Sequence, residues 1–319
     1  MKRVFVTGGA GFLGSGIIKK LLENNYKVIC FDDFSRGALR KIKEFKKKIK
    51  IVSGDVRDKK KVIKYSQNCD IIIHLAFING TEFFYSKPDL VLDVGIKGML
   101  NVIEASKINK IKELILASSS EVYQTPNIIP TPEQVALTVP DVSNPRYSYG
   151  AGKIISEVLA YNSTNHLKRM MIFRPHNVYG PDMGTEHVIP QLIIKFNKLL
   201  QNKKNIKRLN FPILGDGEQI RAFNYIDDFS DGVIKILKKG KDRNIYHIGD
   251  SRKYKIKQLV QKLEKIFNKK VKLIKKKAPM GETKVRCPNI NKMRKIGYFP
   301  KTSLDDGLKK TVKWYLNNL

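Results

Sequence analysis

Short apolar runs alternate with amphipathic stretches through the first half of the chain. Val4 to Val6 is the first run, and it stops in glycines. Leu13, Ile17, Ile18, Leu21 and Leu22 then recur at helical spacing on one face. Lys27 to Asp32 forms a second apolar run, followed by Ile49 to Ser53, Asp70 to His74 and Lys112 to Ser118. Helical stretches lie between them near Asp58 to Gln67 and Pro88 to Asn109. Arg146 to His166 is a further long helical pattern, and Met170 to Arg174 a further strand. Strands that alternate with helices predict an α/β fold with a doubly wound parallel sheet and right-handed crossovers. After residue 180 the loops lengthen, prolines appear and the alternation loses regularity. The pattern therefore predicts a first domain over 1–180 and a smaller α/β lobe over 181–319. A helix at Tyr225 to Lys238 and a strand at Tyr246 to Gly249 should bring the stretch 225–250 back to the first domain.

Composition changes this picture little. The chain has 319 residues, 42% of them hydrophobic, with no apolar stretch of membrane-spanning length. Gly8 and Gly9 interrupt the first apolar run before a secretory signal can form. Cys30, Cys69 and Cys287 lie far apart, which points to a reducing cytoplasm and no zinc site. His74, His166, His176, His187 and His247 likewise show no metal spacing. The formal charge of +32 is the unusual property. The excess is lysine spread over many segments among asparagine and isoleucine, as an AT-rich genome supplies, and no aromatic-basic stacking motif accompanies it. Coding bias on solvated faces is preferred to a nucleic-acid partner, although such a field draws in any doubly charged small substrate.

The candidate chemistry begins where the first run ends. Gly8, Gly11 and Gly14 stand three residues apart between a strand and a helix, the arrangement that lets a pyrophosphate approach a helix N-terminus. Asp32, at the end of the second run, is placed to accept hydrogen bonds from an adenosine ribose and to repel a 2′-phosphate, favouring NAD over NADP. Arg36 just behind it blurs that preference, and the alternative for Asp32 is a carboxylate that only opens a polar turn. The fifth strand ends in Ser118-Ser-Ser-Glu-Val-Tyr123, where a cofactor crevice is expected. Tyr149 and Lys153 follow at i and i+4 on one helical face. A tyrosine is a poor base at neutral pH until a nearby ammonium stabilises its phenolate, and Ser119 is placed to hold the same substrate hydroxyl. A chance pair on a helix surface is the alternative, weakened by the ordered company of the glycine turn and the serine-rich strand end.

Over nearly its whole length the chain resembles the extended short-chain dehydrogenase/reductase family of NAD-dependent nucleotide-sugar epimerases, dehydratases and decarboxylases. The resemblance rests on Thr7-Gly-Gly-Ala-Gly-Phe-Leu-Gly14, Asp32, Gly54-Asp-Val56, His74-Leu-Ala76, Ser118 to Tyr123, Tyr149 with Lys153, and Arg174-Pro-His-Asn-Val-Tyr-Gly-Pro181. It continues in Gly215-Asp-Gly-Glu-Gln-Ile-Arg221, Tyr225-Ile-Asp-Asp228 and Leu304-Asp-Asp-Gly-Leu308. It implies a Rossmann-like domain with a C-terminal substrate-binding lobe. NAD would then be held by Gly8, Gly11, Phe12, Leu13, Gly14, Asp32, Asp55, Val56, Leu75 and Ala76, with Tyr149 and Lys153 at its reactive end. Ser119, Tyr149 and Lys153 would form the catalytic triad. Thr81, Ser119, Ser120, Asn177, His187, Val188, Arg221 and Arg286 would line the nucleotide-sugar site, the two arginines and Asn177 at the diphosphate. No metal is required.

The resemblance also implies transient oxidation at sugar C4, and Glu121 bears on the fate of the resulting ketone. Glutamate is the C5 base in 4,6-dehydratases, whereas simple 4-epimerases have a small neutral residue there, so a 4,6-dehydratase of surface-polysaccharide synthesis is the favoured expectation. A 4-epimerase is the runner-up and a sugar-acid decarboxylase the third. Ser120 departs from the aspartic acid of some dehydratases, as do Gln124 from the usual glycine, Gly16 from histidine or asparagine, and Ala222 from aspartate. The helices at Pro88 to Asn109 and Arg146 to His166 would pair in a homodimer. An idle family member that binds RNA or a protein is the competing class, opposed by the intact Ser119, Tyr149 and Lys153.

Overall fold

The computed structural model describes residues 1–202, 208–277 and 283–319. The strands are β1 (Arg3–Thr7), β2 (Lys27–Asp32), β3 (Lys50–Ser53), β4 (Ile71–His74), β5 (Glu113–Ala117), β6 (Arg169–Pro175), β7 (Val178–Tyr179), β8 (Arg208–Leu214), β9 (Ile220–Arg221), β10 (Asn224–Tyr225), β11 (Asn244–Ile248), β12 (Tyr254–Lys255), β13 (Lys270–Lys276) and β14 (Val285–Arg286). The helices are α1 (Phe12–Glu23), α2 (Lys59–Ser66), α3 (Thr81–Ser86), α4 (Pro88–Ile108), α5 (Ser148–Ser163), α6 (Val188–Asn202), α7 (Ile226–Lys239), α8 (Ile256–Phe267), α9 (Asn291–Lys295) and α10 (Leu304–Asn318). No described helix is long and apolar enough to cross a membrane.

Among the described residues, seven strands form one parallel sheet in the order β11-β6-β5-β4-β1-β2-β3. The order reverses between β1 and β4, the point at which crossovers leave in opposite directions and a crevice opens. Both faces of this sheet are buried, which is why its strands read as nearly continuous apolar runs. Val4, Val6, Ile71, Ile73 and Ile115 face the side covered by α1 and α7. Phe5, Ile72, Leu114 and Leu116 face the side covered by α4 and α5. Gly16 is required by this packing, because a Cβ there would lie 2.6 Å from Ser230 Oγ and 3.0 Å from Ile226 Cγ1 of α7. The C-terminal lobe adds a parallel β8–β13 pair and a short β12-β9-β14 sheet. Phe196 of α6 stacks on Phe267 of α8, and the same apolar core runs on into the first domain.

Some boundaries differ from the sequence pattern for local reasons. The long helix expected from Arg146 starts at Ser148, after a 3-10 turn over Pro145–Tyr147 that the Asn144 side chain caps at the Arg146 N–H. Thr81–Ser86 is helical and Leu39–Lys48 coils as a 3-10 segment, both without a periodic apolar signal. Ile42 and Phe45, three residues apart among lysines, are the buried anchors of the second.

Arg174 is the largest fully buried side chain and sits at the carboxyl end of the sheet. Its Nε donates to Glu157 Oε1 of α5 at 2.8 Å and its Nη1 to the Glu133 carbonyl at 2.9 Å. It also donates to the Tyr123 hydroxyl, which meets His247 Nε2 of β11 at 2.6 Å. One guanidinium thus ties β6, α5, β11 and the loops above the sheet. Replacing Glu157 by Ala strands that charge and should cost about 3–5 kcal/mol. Urea unfolding at neutral pH measures the loss, and a change under about 1 kcal/mol would show that the pair does not hold the sheet end.

Candidate active site

The glycine turn is built by close approach. Gly8 adopts φ +69° at the end of β1, and a Cβ there would lie 2.8 Å from the Ala76 nitrogen. A Cβ on Gly14 would lie 2.2 Å from the Gly8 carbonyl oxygen. Only glycine allows this backbone to close so tightly. Above Gly11, by contrast, only the Gly8 oxygen comes within 4 Å, and no described side chain caps α1. The N–H groups at Phe12 and Leu13 in its first turn therefore face open space with the positive end of the helix dipole behind them.

Asp32, expected at the ribose, braces the turn. It accepts from the Ala10 N–H at 2.8 Å and the Phe34 N–H at 2.9 Å, and burial outweighs these bonds and raises its carboxyl. Arg36 is turned away from a 2′-phosphate role: it pairs with Glu186 and lies 4.8 Å over the Phe83 ring. Leu75 and Ala76 follow β4, where both N–H groups reach Thr7 Oγ1 at 3.2 and 3.3 Å. Asp55 is held by Arg57, and Val56 beside it is buried. The open helix end, the tight turn and the carboxylate suit a dinucleotide.

Beyond the carboxyl ends of β4 to β6 the proposed catalytic residues come together. Lys153 Nζ donates to the Ala117 carbonyl at 2.6 Å and sits 4.1 Å over the Phe77 ring and 5.7 Å from the Tyr149 ring centre. Burial pulls its ammonium down to about 7, against the attraction of Glu157. Tyr149 is buried between Phe84, stacked at 5.1 Å, and Phe77, edge-on at 5.2 Å. Burial pushes its phenol up, while a hydrogen bond with Ser119 works the other way. Ser119 also accepts from the Glu121 N–H at 3.1 Å, which fixes its hydroxyl above the strand end.

Glu121 is the most heavily engaged carboxylate of the site. Arg286 reaches it with both terminal nitrogens, Nη2 to Oε2 at 2.9 Å. Burial alone would raise this carboxyl, but Arg286 first, and then Arg146 and Arg221, hold it below the usual range. Arg286, expected beside a diphosphate, is thus seated on Glu121, and Thr283 bonds both Arg286 and the Gln124 carbonyl. Gln124 explains why glycine is usual at its place: its φ is +50°. Its amide donates to the Glu121 carbonyl at 2.7 Å, so the strained residue holds the turn that carries Glu121.

Asn177, at φ +41°, donates to the carbonyl of the buried Ala222 at 3.1 Å. Arg221 pairs in register with Arg286 across β9 and β14. His187 and Val188 open α6, and burial followed by Arg36 pulls the His187 imidazole down to about 4. Thr81 is exposed at the start of α3, and Ser120 is buried. Sequence reasoning missed Phe77 and Phe84, the walls of the tyrosine pocket, and Arg146. The aromatics carried no periodic signal, whereas Arg146 was visible three residues before Tyr149.

A glycine turn, a buried acid at the end of β2 and a tyrosine–lysine pair on one helix can be compared with known proteins. Residues 4–249 match the model of the NAD dependent epimerase/dehydratase family. The chain belongs to that family. It is 30% identical over 319 residues to a putative UDP-glucose 4-epimerase of Methanocaldococcus jannaschii, covering 99% of both chains. It is 28% identical to a UDP-N-acetyl-alpha-D-glucosaminuronate decarboxylase of Bacillus cytotoxicus, over 98% of each. The crystal structure of DesIV, a dTDP-glucose 4,6-dehydratase of Streptomyces venezuelae with NAD bound, superposes with a TM-score of 0.86 at 26% identity, covering 99% of this chain and 97% of that one. The cofactor of this epimerase/dehydratase family member is NAD.

Replacing Lys153 by Met removes the cation beside the phenol, so deprotonation of Tyr149 needs a higher pH. Turnover near neutral pH should fall about a hundredfold or more, and the acid limb of the pH–rate profile should move upward. An unmoved limb would remove Lys153 from the proton transfer.

Proposed function

We propose that this enzyme oxidises C4 of the sugar in a nucleoside-diphosphate sugar and later returns the hydride within the same turnover. The observation that carries the reading is the buried set of Ser119, Tyr149 and Lys153 at the crevice beyond β4 to β6. NAD supplies the hydride acceptor when bound. Ser119 orients the C4 hydroxyl, and Tyr149, as phenolate, takes its proton. Lys153, with an ammonium near 7, stabilises the phenolate and passes protons at neutral pH. Tyr149→Phe should reduce turnover by at least about a thousandfold while the protein still binds NAD. Full activity in that variant would end the proposal.

For the fate of the 4-keto sugar, Glu121 supports a 4,6-dehydratase. A carboxylate kept ionised beside Ser119 is in the form a C5 base requires. Ser120 is a weak proton donor for the leaving C6 hydroxyl, however, and Arg286 engages the base directly. That ion pair favours a second reading, decarboxylation of a sugar acid. Oxidation at C4 makes a C6 carboxylate a β-keto acid, so the C5–C6 bond breaks as carbon dioxide leaves. Its electrons form a C4–C5 enolate, which takes a proton at C5 before hydride returns to C4. Neither a base at C5 nor an acid at C6 is needed. Mass spectrometry of products from nucleotide sugars and nucleotide sugar acids separates the branches. Loss of water identifies the dehydratase, loss of carbon dioxide the decarboxylase, and unchanged mass with inverted C4 an epimerase. Glu121→Gln should stop water loss and leave a 4-keto product if Glu121 is the base.

We also propose a homodimer through α4 and α5, which leave Leu100, Ile108, Ile155 and Val158 exposed. Sedimentation should give a dimer, and Leu100→Glu with Val158→Lys should shift it to monomer. Three buried thiols without a disulfide support the cytoplasm as its compartment.

A further inference from the structure

Arg146 is a charge that the C4 oxidation does not use. It lies in the Pro145–Tyr147 turn, three residues before Tyr149. Asn144 takes up its backbone N–H, so the side chain is not needed to hold the turn. The turn packs against α3, the helix that begins with Thr81. The α5 helix that follows it packs on the Ser120–Tyr123 turn, where a Cβ on Gly150 would lie 3.1 Å from the Glu121 carbonyl oxygen. The Arg146 turn therefore touches both the helix that begins at Thr81, expected at the nucleotide-sugar site, and the helix packed on the turn that carries Glu121.

Its electrostatic position is unusual. Glu121 already has the fork of Arg286, yet Arg146 and Arg221 also act on it. One carboxylate thus sits among three guanidinium groups. The Nε of Arg146 is buried and has no hydrogen-bond partner, and among the described residues Arg146 forms no ion pair. Desolvating a guanidinium nitrogen without an acceptor is costly, and an arriving oxyanion relieves the cost through charge-assisted hydrogen bonds. Arg221 lies on the lobe, aligned with Arg286 across β9 and β14, where a diphosphate is expected. Arg146 lies in the turn three residues before Tyr149 and acts on Glu121. On the C4-oxidation reading Tyr149 serves C4 and Glu121 serves C5, and the substituent carried by C5 is C6.

We propose that Arg146 is a specificity-determining residue that binds a carboxylate at C6, and that the substrates are nucleoside-diphosphate sugar acids rather than neutral sugars. The inference rests on the C4-oxidation reading and selects the sugar-acid outcome within it. A planar guanidinium matches a carboxylate with two parallel hydrogen bonds, whereas a neutral hydroxymethyl group leaves the buried nitrogen without a charged partner.

The test measures binding by calorimetry to the NAD-loaded Tyr149→Phe protein, which cannot turn the ligands over. The probes are UDP-glucuronate against UDP-glucose, and GDP-mannuronate against GDP-mannose. Within the pair that binds, the acid should bind at least about tenfold more tightly than the neutral sugar. Arg146→Gln should bring that ratio close to one, and Arg146→Lys, which keeps the charge but loses the fork, should leave an intermediate ratio. Equal affinity for acid and neutral sugar overturns the inference while leaving C4 oxidation standing. So does an Arg146→Gln variant that weakens both ligands by the same factor, since Arg146 would then serve the diphosphate. If the folded, NAD-bound protein takes none of the four probes, the C4-oxidation reading fails and this inference with it.

Discussion

The bidentate pair between Glu121 and Arg286 is the constraint on which the active site depends. Its partners lie 165 residues apart in the chain, one on the loop after β5 and the other on β14 of the C-terminal lobe. The Glu121 N–H donates to Ser119, its carbonyl accepts from Gln124, and Arg286 reaches back to Thr283. The lobe is thereby locked against the end of the parallel sheet beside Ser119. Because the carboxylate is buried, removing Arg286 takes away the first of its counter-charges, a larger penalty than the pair's own net contribution.

The same pair sets the charge state of Glu121. A free buried glutamate would have its carboxyl raised by desolvation and would act as a proton donor near neutral pH. Surrounded by arginines it is an anion instead. Lys153 has the opposite history: burial without a carboxylate in direct contact brings its ammonium down to about 7, where it can both stabilise a phenolate and exchange a proton. Two ionisable groups on neighbouring elements are thus moved in directions set by their surroundings, one by counter-charge and one by desolvation. The aromatic walls of Phe77 and Phe84 supply the low-dielectric setting in which these differences count.

The large positive charge of the chain divides into two populations. Most lysines are dispersed on exposed faces, where solvent and salt screen them. The site arginines are few and partly or wholly buried. A crevice focuses the field of such buried groups, whereas exposed charge mainly affects how fast an anion arrives.

The order of strands and helices in the first domain was legible in the chain, because a parallel sheet buried on both faces demands apolar runs and its covering helices demand a 3.6-residue stripe. The glycine turn was legible too, since only glycine accepts the φ of +69° at Gly8 and the close approach at Gly14. The spacing of Tyr149 and Lys153 lies within one helix, and so it also could be read directly. The Leu39–Lys48 coil and the aromatic pocket were not, because two anchors among lysines, or one ring in a loop and one in a single short helix, give no period. The partner of Glu121 could not be read at all. That depended on bringing residue 286 back across the sheet end, a contact with no local pattern on either side, and the same holds for the unpartnered nitrogen of Arg146. The sequence by itself determined the sheet, the glycine turn and the tyrosine–lysine spacing, all of which are encoded within single strand–helix units. Only the tertiary structure decided the charge around the sugar, because that charge is assembled from strands, turns and a lobe that meet through the fold.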